Sequence, residues 1–199
     1  MLREIRPAVT LMLALTVLTG LAYPLVVWGI AQGVFPHQAN GSLIERDGHV
    51  VGSALIGQNF ASARYFHPRP SATTDTDPND ATKTIPSPYN AANSVGSNLA
   101  PTAKALVDRV QADVATLKSE APAAPIPGDL VTTSASGLDP DISPEAALLQ
   151  VRRVAAARGL PEARVWTLVQ RSIEPRTLGL LGEQRVNVLA LNLALDALK

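Results

Sequence analysis

No charged residue occurs between Arg6 and Glu45, although charged residues make up 17% of this 199-residue chain. Inside that gap, residues 8–30 are apolar apart from three threonines, whose hydroxyls can bond back to helix carbonyls. A helix of about 20 residues already spans the hydrocarbon core of a bilayer, which is about 30 Å thick. The sequence therefore predicts a transmembrane helix at residues 8–33.

A cleavable signal peptide is the main alternative for this segment. Signal peptides have an apolar core of about 7–15 residues followed by a small-x-small cleavage site. Here the apolar run is longer, and it continues through Tyr23, Pro24 and Trp28 without such a site. We therefore interpret the segment as an uncleaved anchor.

The orientation of the anchor is predicted from Arg3 and Arg6, which directly precede the apolar run. Positive residues flanking a membrane helix favour the cytoplasmic side. We therefore expect a short cytoplasmic N-terminus at residues 1–7 and a single extracytoplasmic domain at residues 34–199.

Small residues recur at four-residue spacing in the helix, as the pairs Thr16 with Gly20 and Gly29 with Gly33. Such pairs let a second helix approach closely, although glycine is also frequent in membrane helices generally. Pro24 removes one helix hydrogen bond and predicts a bend.

The remaining residues predict an α+β domain. Asp47-Gly48 separates two strand-like runs and indicates a hairpin, because both residues tolerate positive φ. Residues 59–100 lack periodicity and predict a long irregular loop. Pro101 opens an amphipathic helix, which ends at a Pro/Ala linker over residues 121–128.

The C-terminal third alternates strand and helix signals. Leu130–Thr133 is a strand candidate, and Leu178–Val186 a candidate hairpin. Ser143 caps a helix that Gly159 ends, and Pro161 opens another. The final segment, 188–198, is apolar almost all round and predicts a buried helix.

Composition and motifs exclude several kinds of chemistry. The chain has no cysteine, which rules out disulfides and thiolate sites, and its net charge of zero gives no basic patch for nucleic acid. No phosphate-binding G-x-x-x-x-G-K-[ST] loop occurs. Asp75, Asp77 and Asp80 offer oxygen ligands for Ca²⁺, but an exposed acidic loop is the favoured interpretation. Arg69, between two prolines, fits either carboxylate binding or a structural salt bridge.

Several motifs together resemble the C subunit family of the bacterial Kdp potassium-transporting ATPase. They occur in the family's order over nearly the whole chain. The sequence departs from the family at Val95, where the family often has glycine, and over residues 75–88, a stretch that looks longer than usual. The motifs are Gly52-Ser-Ala-Leu-Ile-Gly-Gln58, Tyr65-Phe66-His67-Pro-Arg-Pro-Ser-Ala72, Ser97-Asn-Leu99, Ser134-Ala-Ser-Gly-Leu-Asp139, Arg153-Val-Ala155 and Leu191-Asn-Leu-Ala-Leu-Asp196.

The resemblance implies an accessory, non-catalytic subunit of an ATP-driven K⁺ import complex in the bacterial inner membrane. The implied partners are a channel-like K⁺-binding subunit, a P-type ATPase subunit and a small membrane subunit. The family is described either as a scaffold or cap near the outer K⁺ entrance or as a catalytic chaperone that raises ATP affinity. No cofactor is expected on this chain, because K⁺ and Mg-ATP are handled by the partners.

Ten residues are candidate contacts with those partners: Thr16, Gly20, Gly29, Gly33, Gln58, Arg69, Ser71, Asn98, Ser134 and Asp139.

Two other classes of function stay open on the residues alone. One is a membrane-tethered hydrolase, which would turn over a chromogenic substrate. The other is a small-ligand-binding module, which would bind its ligand without other subunits.

Overall fold

The computed structural model describes residues 2–198, which cluster into two compact units that divide between Ser53 and Ala54. The first unit begins with a continuous helical run, Arg3–Val34, that is long and apolar enough to cross a membrane. The helix predicted at residues 8–33 is therefore present. The run consists of α1 (Leu2–Val17), a π-helical turn (Leu18–Ala22) and α2 (Tyr23–Val34).

The π-helical turn lies directly before Pro24, where the sequence predicts a bend. Proline has no N–H to donate to the carbonyl of Gly20, and its ring crowds that carbonyl. In the structure the N–H of Tyr23 donates to the carbonyl of Leu18, five residues earlier. The wider turn thus replaces the regular hydrogen-bond pattern at the position where proline disturbs it.

The π-helical turn changes the helical spacing of only one of the two small-residue pairs. Thr16 lies in α1 and Gly20 in the π-helical turn, so this pair does not keep regular α-helical spacing. Gly29 and Gly33 both lie in α2 and share one face. A Cβ added at any of the three glycines would meet no neighbouring group within 4 Å. The Gly29–Gly33 face is therefore the regular small surface of this helix.

The rest of the first unit consists of α3 (Pro36–Ala39) and a hairpin of β1 (Leu43–Arg46) and β2 (His49–Ser53). Asp47 and Gly48 form its turn with φ values of 53° and 77°. The predicted hairpin is confirmed, and both central residues have the positive φ that such a turn requires.

The second unit is built from short strands and four helices among its described residues. Its three-stranded sheet has the order β5-β7-β6, and β3 and β4 form a separate two-stranded sheet; all of these pairs are antiparallel. The elements are β3 (Thr74–Asp77), β4 (Asp80–Pro86), α4 (Lys104–Glu120), a 3₁₀ turn (Gly128–Leu130), β5 (Asp141–Ile142), α5 (Pro144–Arg158), α6 (Glu162–Arg171), β6 (Ile173–Glu174), β7 (Arg185–Asn187) and α7 (Val188–Asp196).

The core of this unit lies between the sheet and α5, α6 and α7. Its buried apolar side chains are Phe66, Leu130, Ile142, Ala146, Ala147, Val151, Val154, Ala155, Val165, Val169, Val186, Val188, Leu191 and Leu195. The Ser143 hydroxyl accepts the Ala146 N–H at 3.1 Å, and Gly159 ends α5 with a φ of 66°. The predicted caps and the buried C-terminal helix are confirmed.

Three local predictions are wrong. The stretch 59–100 is not irregular throughout, since β3 and β4 pair within it. Residues 128–130 form a 3₁₀ turn where a strand was predicted near Leu130. No hairpin forms at Leu178–Val186; β7 instead pairs with β5 and β6, which places Val186 in the core. Tertiary pairing prevails there: β7 is the central strand of the sheet, and Val186 in it is fully buried.

The helix predicted after Pro101 begins three residues later, at Lys104. None of the residues described for α4 is buried, and Val107 in its apolar stripe is 41% exposed. The helical period is therefore correct, but the stripe is only partly covered by the rest of the unit.

Candidate functional site

A segment without helix or strand, residues 62–73, is held against α5 and α7 by side-chain amides. The N–H of Phe66 donates to Asn192 Oδ1 at 2.9 Å, and Asn192 Nδ2 donates to the carbonyl of Phe66 at 3.0 Å. The ring of Phe66 is fully buried in the core. Because one amide supplies both a donor and an acceptor, it takes the place of a neighbouring strand.

Gln150 repeats this arrangement at the next residue. The N–H of His67 donates to Gln150 Oε1 at 2.7 Å, and Gln150 Nε2 donates to the carbonyl of His67 at 3.1 Å. Both amide side chains are buried, so each pairs backbone groups that would otherwise lack partners. The Phe66–His67 dipeptide is thereby fixed from two helices.

Two arginines complete the attachment of this segment. Arg153 Nη1 donates to the carbonyls of Ala63 and Tyr65 at 2.7 and 3.1 Å. Arg158 Nε donates to the carbonyl of Arg64 at 2.7 Å, and its guanidinium lies 4.7 Å from the centre of the Tyr65 ring. These two arginines of α5 therefore bind backbone carbonyls at the start of the segment that carries the Tyr65–Ala72 motif.

Burial shifts the pKa of His67 and the pKa of Arg153 itself. Burial, followed by the positive charge of Arg153, lowers the pKa of His67 from its ordinary value. Burial also lowers the pKa of Arg153, and the carboxylate of Glu120 opposes that change. His67 is thus held towards its neutral form, and a ring nitrogen lies 3.0 Å from the carbonyl of Ser62.

We define the Arg69 junction as Gly57, Arg69, Ser71, Tyr89 and Asp139, which come from three separate loops. Arg69 Nη1 lies 2.8 Å from Asp139 Oδ2. The Tyr89 hydroxyl donates to the carbonyl of Arg69 at 2.9 Å. Burial, and then the charge of Asp139, raises the pKa of Tyr89, so its hydroxyl keeps the proton that it donates. Of the two interpretations of Arg69, the structural salt bridge is the one that forms.

Ser71 and Gly57 close the junction. The Ser71 hydroxyl donates to the carbonyl of Gly137 at 2.8 Å and accepts the N–H of Tyr89 at 3.0 Å. The N–H of Gly57 donates to the carbonyl of Leu138 at 2.9 Å. A Cβ at residue 57 would lie 2.4 Å from the Tyr89 ring and 2.7 Å from the carbonyl oxygen of Asp139. Only glycine fits there.

The structure unites some of the predicted contact residues and separates others. Arg69, Ser71 and Asp139 belong to the junction, and the Ser134 hydroxyl accepts the N–H of Gly137 beside it at 2.9 Å. Gln58 follows Gly57 directly and is half-buried. Asn98 is exposed, with a φ of 51°. The remaining four, Thr16, Gly20, Gly29 and Gly33, lie in the first unit.

Sequence reasoning did not predict the roles of Gln150, Tyr89 or Gly137. Gly137 has a φ of 69°, and a Cβ there would lie 2.6 Å from the Thr73 side chain. An amide in an otherwise apolar helix was a usable signal for Asn192, whereas nothing in the local sequence distinguishes Gln150 or Tyr89.

The acidic run lies in the hairpin of β3 and β4. Asp77 Oδ1 accepts the N–H of Asn79 at 2.8 Å, and Asp80 Oδ1 accepts the N–H of Thr82 at 3.0 Å. The hydrogen bonds from Thr82 lower the pKa of Asp80. No cluster of three or more potential ligands occurs among residues 2–198. The carboxylates of Asp77 and Asp80 thus hold the turn of this hairpin.

A cleft of about 490 Å³ adjoins the junction, and its lining includes His67, Arg69, Tyr89, Glu120 and Arg153. Arg153 Nε lies 3.4 Å from Glu120 Oε2. The Ser71 hydroxyl donates to a backbone carbonyl, and His67 contacts a carbonyl of its own segment. The Ser71 hydroxyl and the His67 ring therefore both contact backbone carbonyls. They do not contact each other as a nucleophile and its general base would.

The structure defines a class of protein: one helix of membrane-spanning length and composition among residues 2–198, and an internally hydrogen-bonded α+β unit. The family model for the c chain of the K⁺-transporting ATPase, KdpC, matches residues 5–197. The chain belongs to the KdpC family. It is therefore an accessory subunit of a membrane-bound K⁺ transport complex, in which the ATPase activity lies with another subunit.

Relatives from other bacteria match over essentially full length. The potassium-transporting ATPase KdpC subunit of Rhodopseudomonas palustris strain BisB18 is 68% identical over 199 residues, which is 100% of both chains. That of Methylorubrum populi is 65% identical over 198 residues, covering 100% of this chain and 98% of the relative. That of Bradyrhizobium diazoefficiens is 68% identical over 196 residues, or 98% of each chain.

Proposed function

We propose that the chain is an assembly scaffold of the K⁺ import complex, with its second unit outside the cell beside the K⁺ entrance. The Arg69 junction carries this proposal. Arg69 and Asp139 bind each other, and Ser71 and Tyr89 bind backbone carbonyls of neighbouring loops. Residues that fix three loops to one another suit a rigid docking body, since preorganised loops lose little entropy on binding.

The proposed partners are the channel-like K⁺-binding subunit, the P-type ATPase subunit and the small membrane subunit. Contacts would come from the Gly29–Gly33 face inside the membrane and from the loops around the junction outside it. Small residues allow close helix packing, which is a main source of attraction between helices in lipid. The chain itself would bind neither K⁺ nor Mg-ATP.

An influence on ATP affinity would then be indirect. The sequence contains no phosphate-binding loop, and a bilayer core of about 30 Å would separate an outer domain from cytoplasmic ATP. A subunit that binds one conformation of the complex more tightly shifts its equilibrium and so changes the affinity at a distant site. The chaperone and scaffold descriptions are compatible on this account.

Co-purification tests the proposal. The full chain, carrying an affinity tag, is expressed with the other subunits and purified in detergent. We expect all subunits in one complex, and K⁺-stimulated ATP hydrolysis that disappears when this chain is omitted. Full activity without the chain would contradict the proposal. Turnover of a chromogenic ester by the purified chain alone would favour the hydrolase instead.

Cysteine labelling tests the orientation separately. Because the chain has no cysteine, each introduced thiol is its only labelling site. Glu4→Cys and Lys104→Cys each introduce one thiol, and the side chain of Lys104 is 85% exposed. An impermeant maleimide should label the Lys104→Cys chain in spheroplasts and the Glu4→Cys chain only after lysis. The opposite pattern would place the second unit in the cytoplasm.

A further inference from the structure

Helix α4 forms one wall of the cleft beside the Arg69 junction. Its contributions to the lining are Asp113, Thr116, Leu117 and Glu120. None of the residues of α4 is buried, and Leu117 is only partly buried where it packs against the core. Segments without helix or strand flank α4 on both sides, at residues 87–103 and 121–127. An element with few buried side chains between two such segments belongs to the least stable part of a fold.

The opposite wall of the cleft is fixed by bonds that do not involve α4. Gln150 pairs both backbone groups of His67, and Arg153 donates to two backbone carbonyls of the same segment. Arg69 is held by Asp139 at 2.8 Å. Because these bonds join α5 and the loops to one another, this wall keeps its structure wherever α4 lies.

The polar link between the two walls is an ion pair of modest strength. Arg153 Nε lies 3.4 Å from Glu120 Oε2, and the side chain of Glu120 is 42% exposed. This Nε makes no hydrogen bond among the described residues, so the contact is one of charge alone. Exposed ion pairs stabilise a structure only slightly. The Thr116 hydroxyl, also at the cleft, donates to the carbonyl of Ala112 inside α4 at 3.1 Å.

The position of α4 over the cleft also leaves two of its own polar groups poorly compensated. Arg109 Nε is buried and has no hydrogen-bond partner within residues 2–198. Burial raises the pKa of Asp113, and the positive charge of Arg109 opposes that change. Both groups regain water when α4 moves away, which offsets part of the contact that Leu117 loses. The closed position is therefore only weakly favoured.

We propose that α4 is a hinged lid over this cleft. It moves away as an intact helix about its two flanking segments, while the rest of the second unit stays folded. Opening uncovers His67, Arg69 and Arg153, and closing covers them again. Lids pivot on a few residues at the ends of an element. The inference concerns the chain by itself and does not depend on the proposed function.

Distances between two nitroxide labels test the motion in the full chain, purified in detergent. The chain has no cysteine, so Ala115→Cys on α4 and Ala156→Cys on α5, both at exposed residues, place one label on each wall. Pulsed electron paramagnetic resonance should show two distances for this pair. The reference pair, Ala156→Cys with Gln170→Cys on α6, should show one narrow distance. Equal broadening of both pairs would overturn the inference, because the whole unit would then be loose.

Two substitutions on α4 should shift the balance in opposite directions. Glu120→Gln should raise the share of the longer distance about threefold, because it removes the ion pair to Arg153. Asp113→Asn should lower that share, since a neutral amide costs less to bury than a carboxylate. Asp108→Asn removes the same charge from the exposed side of α4 and is the matched control. A single narrow distance in the parent and in Glu120→Gln, or equal shifts from Glu120→Gln and Asp108→Asn, would overturn the inference.

The reactivity of His67 reports whether the cleft itself is uncovered. Diethyl pyrocarbonate modifies neutral imidazole, and the lowered pKa of His67 keeps its ring neutral at pH 7.5 in every variant. The rate of modification at His67, measured by mass spectrometry, should rise in Glu120→Gln by a factor similar to the rise in the open share. The rate at His49, which is exposed, should not change. An unchanged rate at His67 would overturn the inference.

Discussion

The side chain of Asn192 makes both backbone hydrogen bonds that Phe66 would make to a neighbouring β-strand, at 2.9 and 3.0 Å. Asn192 and Phe66 are separated by 126 positions in the chain and are both buried. The bond joins the motif segment to the C-terminal helix, so the motif depends on the last folded element described.

Asn192→Leu keeps the number and branching of the side-chain heavy atoms but removes both partners of Phe66. We expect the free energy of unfolding to fall by at least about 2 kcal/mol, because each buried backbone group left unpaired costs about 1–3 kcal/mol. Urea unfolding of the full chain in detergent, followed by circular dichroism, measures this. Gln111→Leu, on the exposed side of α4, is the control and should change stability by about 0.5 kcal/mol or less. Equal effects of the two changes would contradict the prediction.

Gly57→Ala should destabilise the second unit by about 1–3 kcal/mol, the usual effect of overpacking. The added Cβ would lie 2.4 Å from the Tyr89 ring. Gly128→Ala is the matched control, since a Cβ there meets nothing within 4 Å. We expect it to be neutral or slightly stabilising. Thermal unfolding of both variants checks the prediction, which fails if Gly57→Ala unfolds at the temperature of the parent.

The ion pair of Arg69 and Asp139 should show measurable coupling in a double-mutant cycle of alanine variants. We expect a coupling free energy of about 1–3 kcal/mol, because both side chains are largely covered and Arg69 also faces the carbonyls of the loop at Thr132. The exposed pair of Lys104 and Asp108 provides the comparison and should give about 0.5 kcal/mol or less. Coupling as weak in the first pair as in the second would show that the junction contributes no rigidity.

The pH dependence of stability should report the low pKa of His67, which burial and Arg153 depress. In the unfolded chain this imidazole has its ordinary pKa of about 6.5, so below that pH the unfolded state binds more protons. The stabilising contribution of neutral His67 is therefore full above pH 6.5 and is lost as the pH falls towards the folded pKa. His67→Gln should flatten the curve of unfolding free energy between about pH 7 and 5. His49→Gln, at an exposed residue, should leave the slope unchanged.

The membrane helix should associate through the face of α2. Gly29→Leu combined with Gly33→Leu should reduce co-purification of the other subunits about tenfold, equivalent to about 1.4 kcal/mol. Gly20→Leu, in the π-helical turn, should have the smaller effect because its pair with Thr16 lacks regular spacing. Leucine is at least as apolar as glycine, so membrane levels should not change. Normal recovery with the double variant would show that the outer contacts suffice.

Local sequence determined the features that depend on local physics. The uncharged run is sufficient for a membrane-length helix, because hydrophobicity and length decide that property. Asp47-Gly48, Ser143 and Gly159 fixed a turn and both ends of α5, since caps and positive φ depend on one or two residues. The apolar period also predicted α7 and its burial.

Only the tertiary structure decided which distant groups pair. Val186 entered a central strand, contrary to the predicted hairpin, because its burial outweighed the local turn signal. The pairing of Arg69 with Asp139 follows from contacts 70 positions apart. Local propensity cannot encode such a pairing, because the free energy comes from desolvation and hydrogen bonding that exist only after the loops have met.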